Sequence, residues 1–103
     1  MNRFGIQESY LKMLIAIFAA HHQVREVVVY GSRAKGNFTA RSDIDMVICN
    51  SQIDRHVLGK ILLDINDSNF PYTVDLQILE NIKNISLLAH ISRVGQTFYK
   101  KEN

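Results

Sequence analysis

Residues 42–49, SDIDMVIC, alternate so that Asp43, Asp45 and Val47 share one strand face while Ile44, Met46 and Ile48 occupy the other. The apolar face needs a core beneath it. The opposite face carries two carboxylates whose backbones lie about 7 Å apart, and at an effective dielectric of about 20 their repulsion is about 2.5 kcal/mol before any desolvation. A third carboxylate, Asp75, sits on another alternating run, YTVDLQIL (72–79), and can join them from a neighbouring strand. Two readings follow. The acidic face is solvated, as one face of many antiparallel sheets is, or it holds a divalent cation that offsets the repulsion. Hard carboxylate oxygens with no thiolate or imidazole beside them suit Mg²⁺ or Mn²⁺.

The elements around these strands alternate in type. Ile6, Tyr10, Leu14, Ile17 and Phe18 recur at helical spacing and predict an amphipathic helix over 6–22. REVVVY (25–30) is β-branched, stops at Gly31 and reads as a mostly buried strand. Residues 51–68 predict a second helix: Ser51 followed by Asp54 resembles a capping box, and Val57, Leu58, Ile61, Leu62 and Ile65 form its stripe. Gly59 weakens that helix by about 1 kcal/mol relative to alanine without breaking it. Pro71 introduces the third strand, and a last helix covers 84–94, ended by Gly95 before a short QTFYK tail. The order is α-β-(short α)-β-α-β-α. The fold class is therefore α/β, a small mixed sheet with helices packed on it in two or three layers.

No linker, repeat or low-complexity tract divides the chain, and 103 residues suit one domain spanning 1–103. At that size folding hides about two-thirds of the unfolded surface, enough for one core. A hydrophobic fraction of 47% and a net charge of +2 exclude a disordered tail and give no dense basic surface, which argues against direct nucleic-acid binding. The longest apolar segment, residues 13–20, is too short to span a bilayer and lacks the flanks of a signal peptide. Cys49 is the sole cysteine and cannot form an internal disulfide. The expectation is a cytoplasmic protein with no membrane association.

Between the first two strands, Gly31 to Gly36 brackets a short turn of helix that Ser32 can cap and Gly36 can end. Free amides at such a helix start, the Ser32 hydroxyl, and the charges of Arg33 and Lys35 would together seat a phosphate. An ordinary glycine-bounded turn is the plainer reading of the loop alone. The GxxxxG spacing also matches a P-loop. That motif needs Lys and then Ser or Thr next, whereas this chain has Asn37 and Phe38, so an ATPase or kinase of that class is excluded.

Taken together, GS, ten intervening residues and DID within an apolar run resemble the signature of the DNA polymerase β-like nucleotidyltransferase superfamily. VVYGSRAKGNFTARSDIDMVI, VDLQIL and ISRVGQTFY all sit where the minimal nucleotidyltransferases (MNT type) have them. The resemblance implies a polymerase β palm-like fold and an enzyme that moves a nucleoside monophosphate, AMP from ATP, onto a hydroxyl. It implies that Gly31 and Ser32 bind the terminal phosphates, with Arg33 and Lys35 as further contacts. It implies that Asp43 and Asp45 hold Mg²⁺ or Mn²⁺ and that Asp75 completes the triad and helps activate the acceptor. It implies that the acceptor arrives on another chain, a HEPN-domain toxin modified on a tyrosine and neutralised by transfer, by binding, or by both. The alternative is an antitoxin that only binds its HEPN partner, its carboxylates idle.

Other conspicuous residues have plainer readings. His21 and His22 are adjacent and cannot share a helix face, and a helix end suits them. His56 and His90 lack a ligand-spaced partner and read as surface or satisfied helix histidines. Cys49 reads as a small buried side chain.

Overall fold

The computed structural model describes residues 3–50 and 52–102. Helix α1 (Glu8–Ala20) leads to strand β1 (Glu26–Tyr30), the short α2 (Gly31–Lys35) and β2 (Ile44–Ile48). Then come α3 (Arg55–Asp67), β3 (Val74–Ile78), a 3-10 turn (Leu79–Asn81), α4 (Ile85–Val94) and β4 (Gln96–Lys100). The strands form one mixed sheet in the order β3-β2-β1-β4. β1 runs antiparallel to both β2 and β4, while β2 and β3 are parallel.

Alternation along the strands divides the sheet into two faces. Val27, Val29, Ile44, Met46, Ile48, Leu76, Ile78 and Phe98 point to one side, where they pack with Leu11, Leu14 and Phe18 of α1 and Ile61 and Ile65 of α3. Each such side chain, when fully buried, contributes about 1.5–3 kcal/mol. Val28, Tyr30 and Val47 point the other way, under Leu87, Ile91 and Val94 of α4. The helices thus form a layer on each side. Asp45, Asp75 and Gln77 share the α4 side of the sheet by the same alternation.

Four local expectations are corrected. Ile6 is buried but precedes α1, in a turn where it exchanges backbone hydrogen bonds with Arg3. Asp54 is itself the N-cap of α3, accepting from the Val57 amide at 2.9 Å; Ser51, the other half of the expected capping box, lies outside the described residues. Asn84 caps α4 in the same way, through the Leu87 amide at 3.1 Å. Residues 96–100 are no tail but a strand on β1, with Phe98 in the core and a bulge between Val27 and Val28. Gly95 makes the tight passage from α4 to β4 possible: a Cβ there would come within 2.5 Å of the Ile91 carbonyl oxygen and 2.8 Å of Val28. Among the described residues no helix is long and apolar enough to cross a membrane.

Candidate active site

β1 passes into α2 without a loop. The joint requires Gly31 on two counts. Its φ is +72°, in the left-handed region, and a Cβ on it would collide with the Asp45 carboxylate. Asp45 is the register partner of Tyr30 across the antiparallel pair and of Asp75 across the parallel pair. Register partners on adjacent strands point to the same face, so Asp45 and Asp75 stand side by side there. Asp43 precedes β2 by one residue and is exposed, Asp75 is exposed, and Asp45 is half-buried.

Those positions shape the electrostatics. Burial pushes the Asp45 carboxyl above the ordinary carboxylate range, and the charges of Asp75 and then Asp43 push it further; His90 would act in the opposite sense only with its ring protonated. The Tyr30 hydroxyl is also raised, first by burial and then by Asp75 and Asp45. It accepts a hydrogen bond from Gln77 Nε2 at 3.2 Å, so the ring reaches across β2 to β3. Burial likewise lifts the Cys49 thiol to about 11, which leaves it an inert side chain at neutral pH.

A divalent cation fits this donor set. Among the described residues no three His, Cys, Asp or Glu side chains close into a preformed cage. An open ledge of hard carboxylates is what Mg²⁺ takes when it completes its shell with water and substrate phosphates. Burial is the first cause of the raised Asp45 carboxyl and the like charges of Asp75 and Asp43 come after it; a cation would relieve that second part. A hollow of about 500 Å³ lies elsewhere, between α3 and the start of β3, and includes none of these carboxylates in its lining.

The glycine-bounded loop differs from its expected layout. Ser32 is not a cap: α2 begins at Gly31, Tyr30 stands at the N-cap, and no side chain caps it. A helix of five residues sums little macrodipole, so any anion affinity rests on individual amides, the Ser32 hydroxyl and Lys35. Lys35 is exposed in the last turn. Arg33 is turned inward and only 2% exposed. Its guanidinium donates to the carbonyls of Ser42 at 2.9 and 3.0 Å and of Phe4 at 2.8 Å, and it lies over the rings of Phe38 and Tyr72. Those bonds make Arg33 a strut of the loop from 36 to 43 rather than the expected phosphate contact, because its donors are spent on backbone.

His90, expected as a surface or satisfied helix histidine, is the satisfied kind, and its partner at the glycine-serine loop is what sequence reasoning did not supply. Its Nε2 accepts the Gly31 amide at 3.2 Å, and its ring meets Tyr30 edge-on at 6.1 Å. The signal was available: Leu87, Ile91 and Val94 mark the inward stripe of α4, and His90 lies on it, three residues after Leu87 and four before Val94. His21 instead bonds Asp64 at 2.6 Å, tying the end of α1 to α3.

Comparisons with known proteins bear on the fold and the family. No curated protein sequence matches significantly. Among solved structures, a toxin-antitoxin complex with AMP-PNP matches with a TM-score of 0.66 at 17% identity, over 94% of this chain and 76% of that one. A mutant MntA-HpeT toxin-antitoxin complex, bearing two Asp-to-Glu changes, matches at 0.67 and 14% identity, over 89% and 74%. A tri-AMPylated Shewanella oneidensis HEPN toxin in complex with its MNT antitoxin matches at 0.65 and 14%, over 93% and 74%. At such identities the likeness is one of fold. The sequence model of the family described as "Polymerase beta, Nucleotidyltransferase" matches residues 12–103, which include the glycine-serine loop and all three carboxylates, and the chain belongs to that family.

Proposed function

We propose that this protein is an MNT-type nucleotidyltransferase that moves AMP from ATP onto a tyrosine hydroxyl of a HEPN-domain toxin and so acts as its antitoxin. The observation that carries the reading is the pairing of Asp45 with Asp75 in register, beside a Gly31 whose absent side chain makes room for the Asp45 carboxylate. The toxin-antitoxin complexes of the same fold, one with AMP-PNP and one with an AMPylated HEPN toxin, support the choice of nucleotide and partner.

In the proposed chemistry the acceptor oxygen forms a bond to the α-phosphorus of ATP, the bond to the bridging oxygen breaks, and pyrophosphate leaves. Asp43 and Asp45 would hold Mg²⁺ or Mn²⁺, with Asp75 as the third carboxylate. The cation, when bound, supplies charge neutralisation for the attacking and leaving oxygens. Gly31, Ser32 and Lys35 orient the terminal phosphates. Asp75, exposed at the sheet edge, would take the acceptor proton.

The test mixes the protein with isotopically labelled ATP, Mg²⁺ and a HEPN-domain partner and follows added AMP by mass spectrometry. Asp75→Asn should keep partner binding and lose transfer by about a hundredfold or more, the scale for removing one preorganised electrostatic group. A wild-type protein that neutralises its partner as well as Asp75→Asn does, while leaving every partner residue unmodified, refutes the enzyme and leaves a binding-only antitoxin.

A further inference from the structure

The segment from α4 into β4 grips α2 at both ends. At one end His90 Nε2 accepts the Gly31 amide at 3.2 Å. At the other, Gln96 Nε2 donates to the Ala34 carbonyl at 2.8 Å. Neither bond is local in sequence, and α2 is too short to be stable by its own hydrogen bonds. The grip itself is anchored: Ile91 and Val94 pack with Tyr30 and Val47, and the Gly95 amide bonds the Ile91 carbonyl at 2.8 Å. Gly31 is also the residue whose left-handed backbone admits the Asp45 carboxylate, so its orientation fixes the distance between the loop and the carboxylates.

We propose that His90, seconded by Gln96, is a positioning residue for triphosphate recognition: it holds the Gly31 amide, and through it the Ser32 hydroxyl, at a fixed place relative to Asp45. The inference rests on the nucleotide reading above and adds a residue outside the glycine-serine and carboxylate motifs. To accept from an amide, Nε2 carries no proton, so the ring proton sits on Nδ1 and the imidazole acts as a neutral acceptor. Loss of that acceptor frees the strand-to-helix joint to move, and the cost falls on whatever the loop reads. The loop reads phosphates. AMP lacks the terminal phosphates assigned to this loop, so AMP binding is spared.

The full chain with Mg²⁺ is titrated by calorimetry with a non-hydrolysable ATP analogue and separately with AMP, for wild type, His90→Leu and His90→Gln. Heteronuclear NMR of the imidazole and of the Gly31 amide is recorded without nucleotide. Expected are the Nδ1-protonated tautomer in wild type and triphosphate affinity about five- to tenfold weaker in His90→Leu. AMP affinity should stay within twofold, and His90→Gln, which keeps an acceptor, should stay within about twofold of wild type for both ligands. Equal weakening of both ligands in His90→Leu, unchanged triphosphate binding in it, or a glutamine variant as impaired as the leucine one overturns the proposal while leaving the nucleotide reading in place. An Nε2-protonated ring overturns it without reference to any ligand. A wild-type protein that binds neither ligand refutes the nucleotide reading, and the proposal falls with it.

Discussion

Replacing Asp45 with its near-isostere asparagine should stabilise the protein when no metal is present. Asp45 and Asp75 are register partners on adjacent strands, which places their backbones about 5 Å apart, and the same spacing is taken for their charges. Two unit charges at that distance repel by about 3 kcal/mol at an effective dielectric of 20 and by about 0.8 kcal/mol in bulk water. Asp75 is exposed, so the lower part of that range applies, about 1 kcal/mol. Spread over the unfolding entropy of a chain of 103 residues, that corresponds to a rise of about 5 °C in Tm. The pH dependence follows from the direction of the shift. Because the folded-state pKa of Asp45 is raised, the penalty on the native state is absent below the ordinary carboxylate pKa and fully present once pH exceeds the folded value. The gain from Asp45→Asn should therefore be full at neutral pH and vanish toward pH 3 to 4.

Calorimetric melting in EDTA and in Mg²⁺ with a non-hydrolysable ATP analogue checks both halves of the reasoning. At a ligand concentration of 100 Kd the wild-type protein should gain about 2.7 kcal/mol, a rise of about 12 °C, and the variant should lose most of that gain. A variant less stable than wild type in EDTA would show that Asp45 is not an electrostatic liability. A variant that keeps the full ligand-induced rise would show that it is no cation ligand.

Two further outcomes follow from the loop. Arg33→Lys removes a planar fork that bonds two backbone carbonyls in a nearly dry site, and should cost about 2–3 kcal/mol of stability without changing the ratio of triphosphate to AMP affinity. A fully stable Arg33→Lys protein that selectively loses triphosphate binding would return Arg33 to the phosphate. Ser32→Ala should weaken triphosphate binding by about 1 kcal/mol, roughly fivefold, and leave Tm within about 2 °C, because Ser32 caps nothing; equal weakening for adenosine in calorimetry would remove its role as a phosphate reader.

The parts of this fold that were legible in the sequence are those set by local pattern. Period-two alternation placed β2 and β3 and a β-branched run placed β1, while helical stripes placed α1 and α3 and Gly95 bounded α4, with errors of a few residues at the ends. The strand order is not a local property: that β2 pairs with β3 in parallel, bringing Asp75 beside Asp45, depends on α3 as a crossover and on two apolar faces finding partners. β4 was lost because only Phe98 of its five residues is buried, so its alternation carries one apolar beat. Arg33 was misplaced for a related reason. A guanidinium beside a glycine-serine pair suggests an anion, and nothing local reveals that the carbonyls of Phe4 and Ser42 will fold over it.

Departures from ordinary folding preference separate into two kinds here, and the separation itself bears on function. Among the described residues, no buried side-chain polar atom lacks a hydrogen-bond partner. Arg33, the one charged residue buried among the described residues, belongs to this satisfied class: its donors meet carbonyls and its faces meet rings, so burial and pairing together account for it. Asp45 does not. It is half-buried, and its strongest electrostatic neighbours are Asp75 and Asp43, which share its sign. Gly31, with its left-handed backbone, adjoins it and leaves room for its carboxylate, and His90 accepts the Gly31 amide. A strand with serine or asparagine at 45 would fold at least as well by the energies above, so stability alone does not account for a carboxylate there. The like-charged carboxylate, the glycine that makes room for it and the histidine that accepts the glycine amide occupy one corner of the sheet, and a cation carrying a triphosphate is the ligand we propose for that corner.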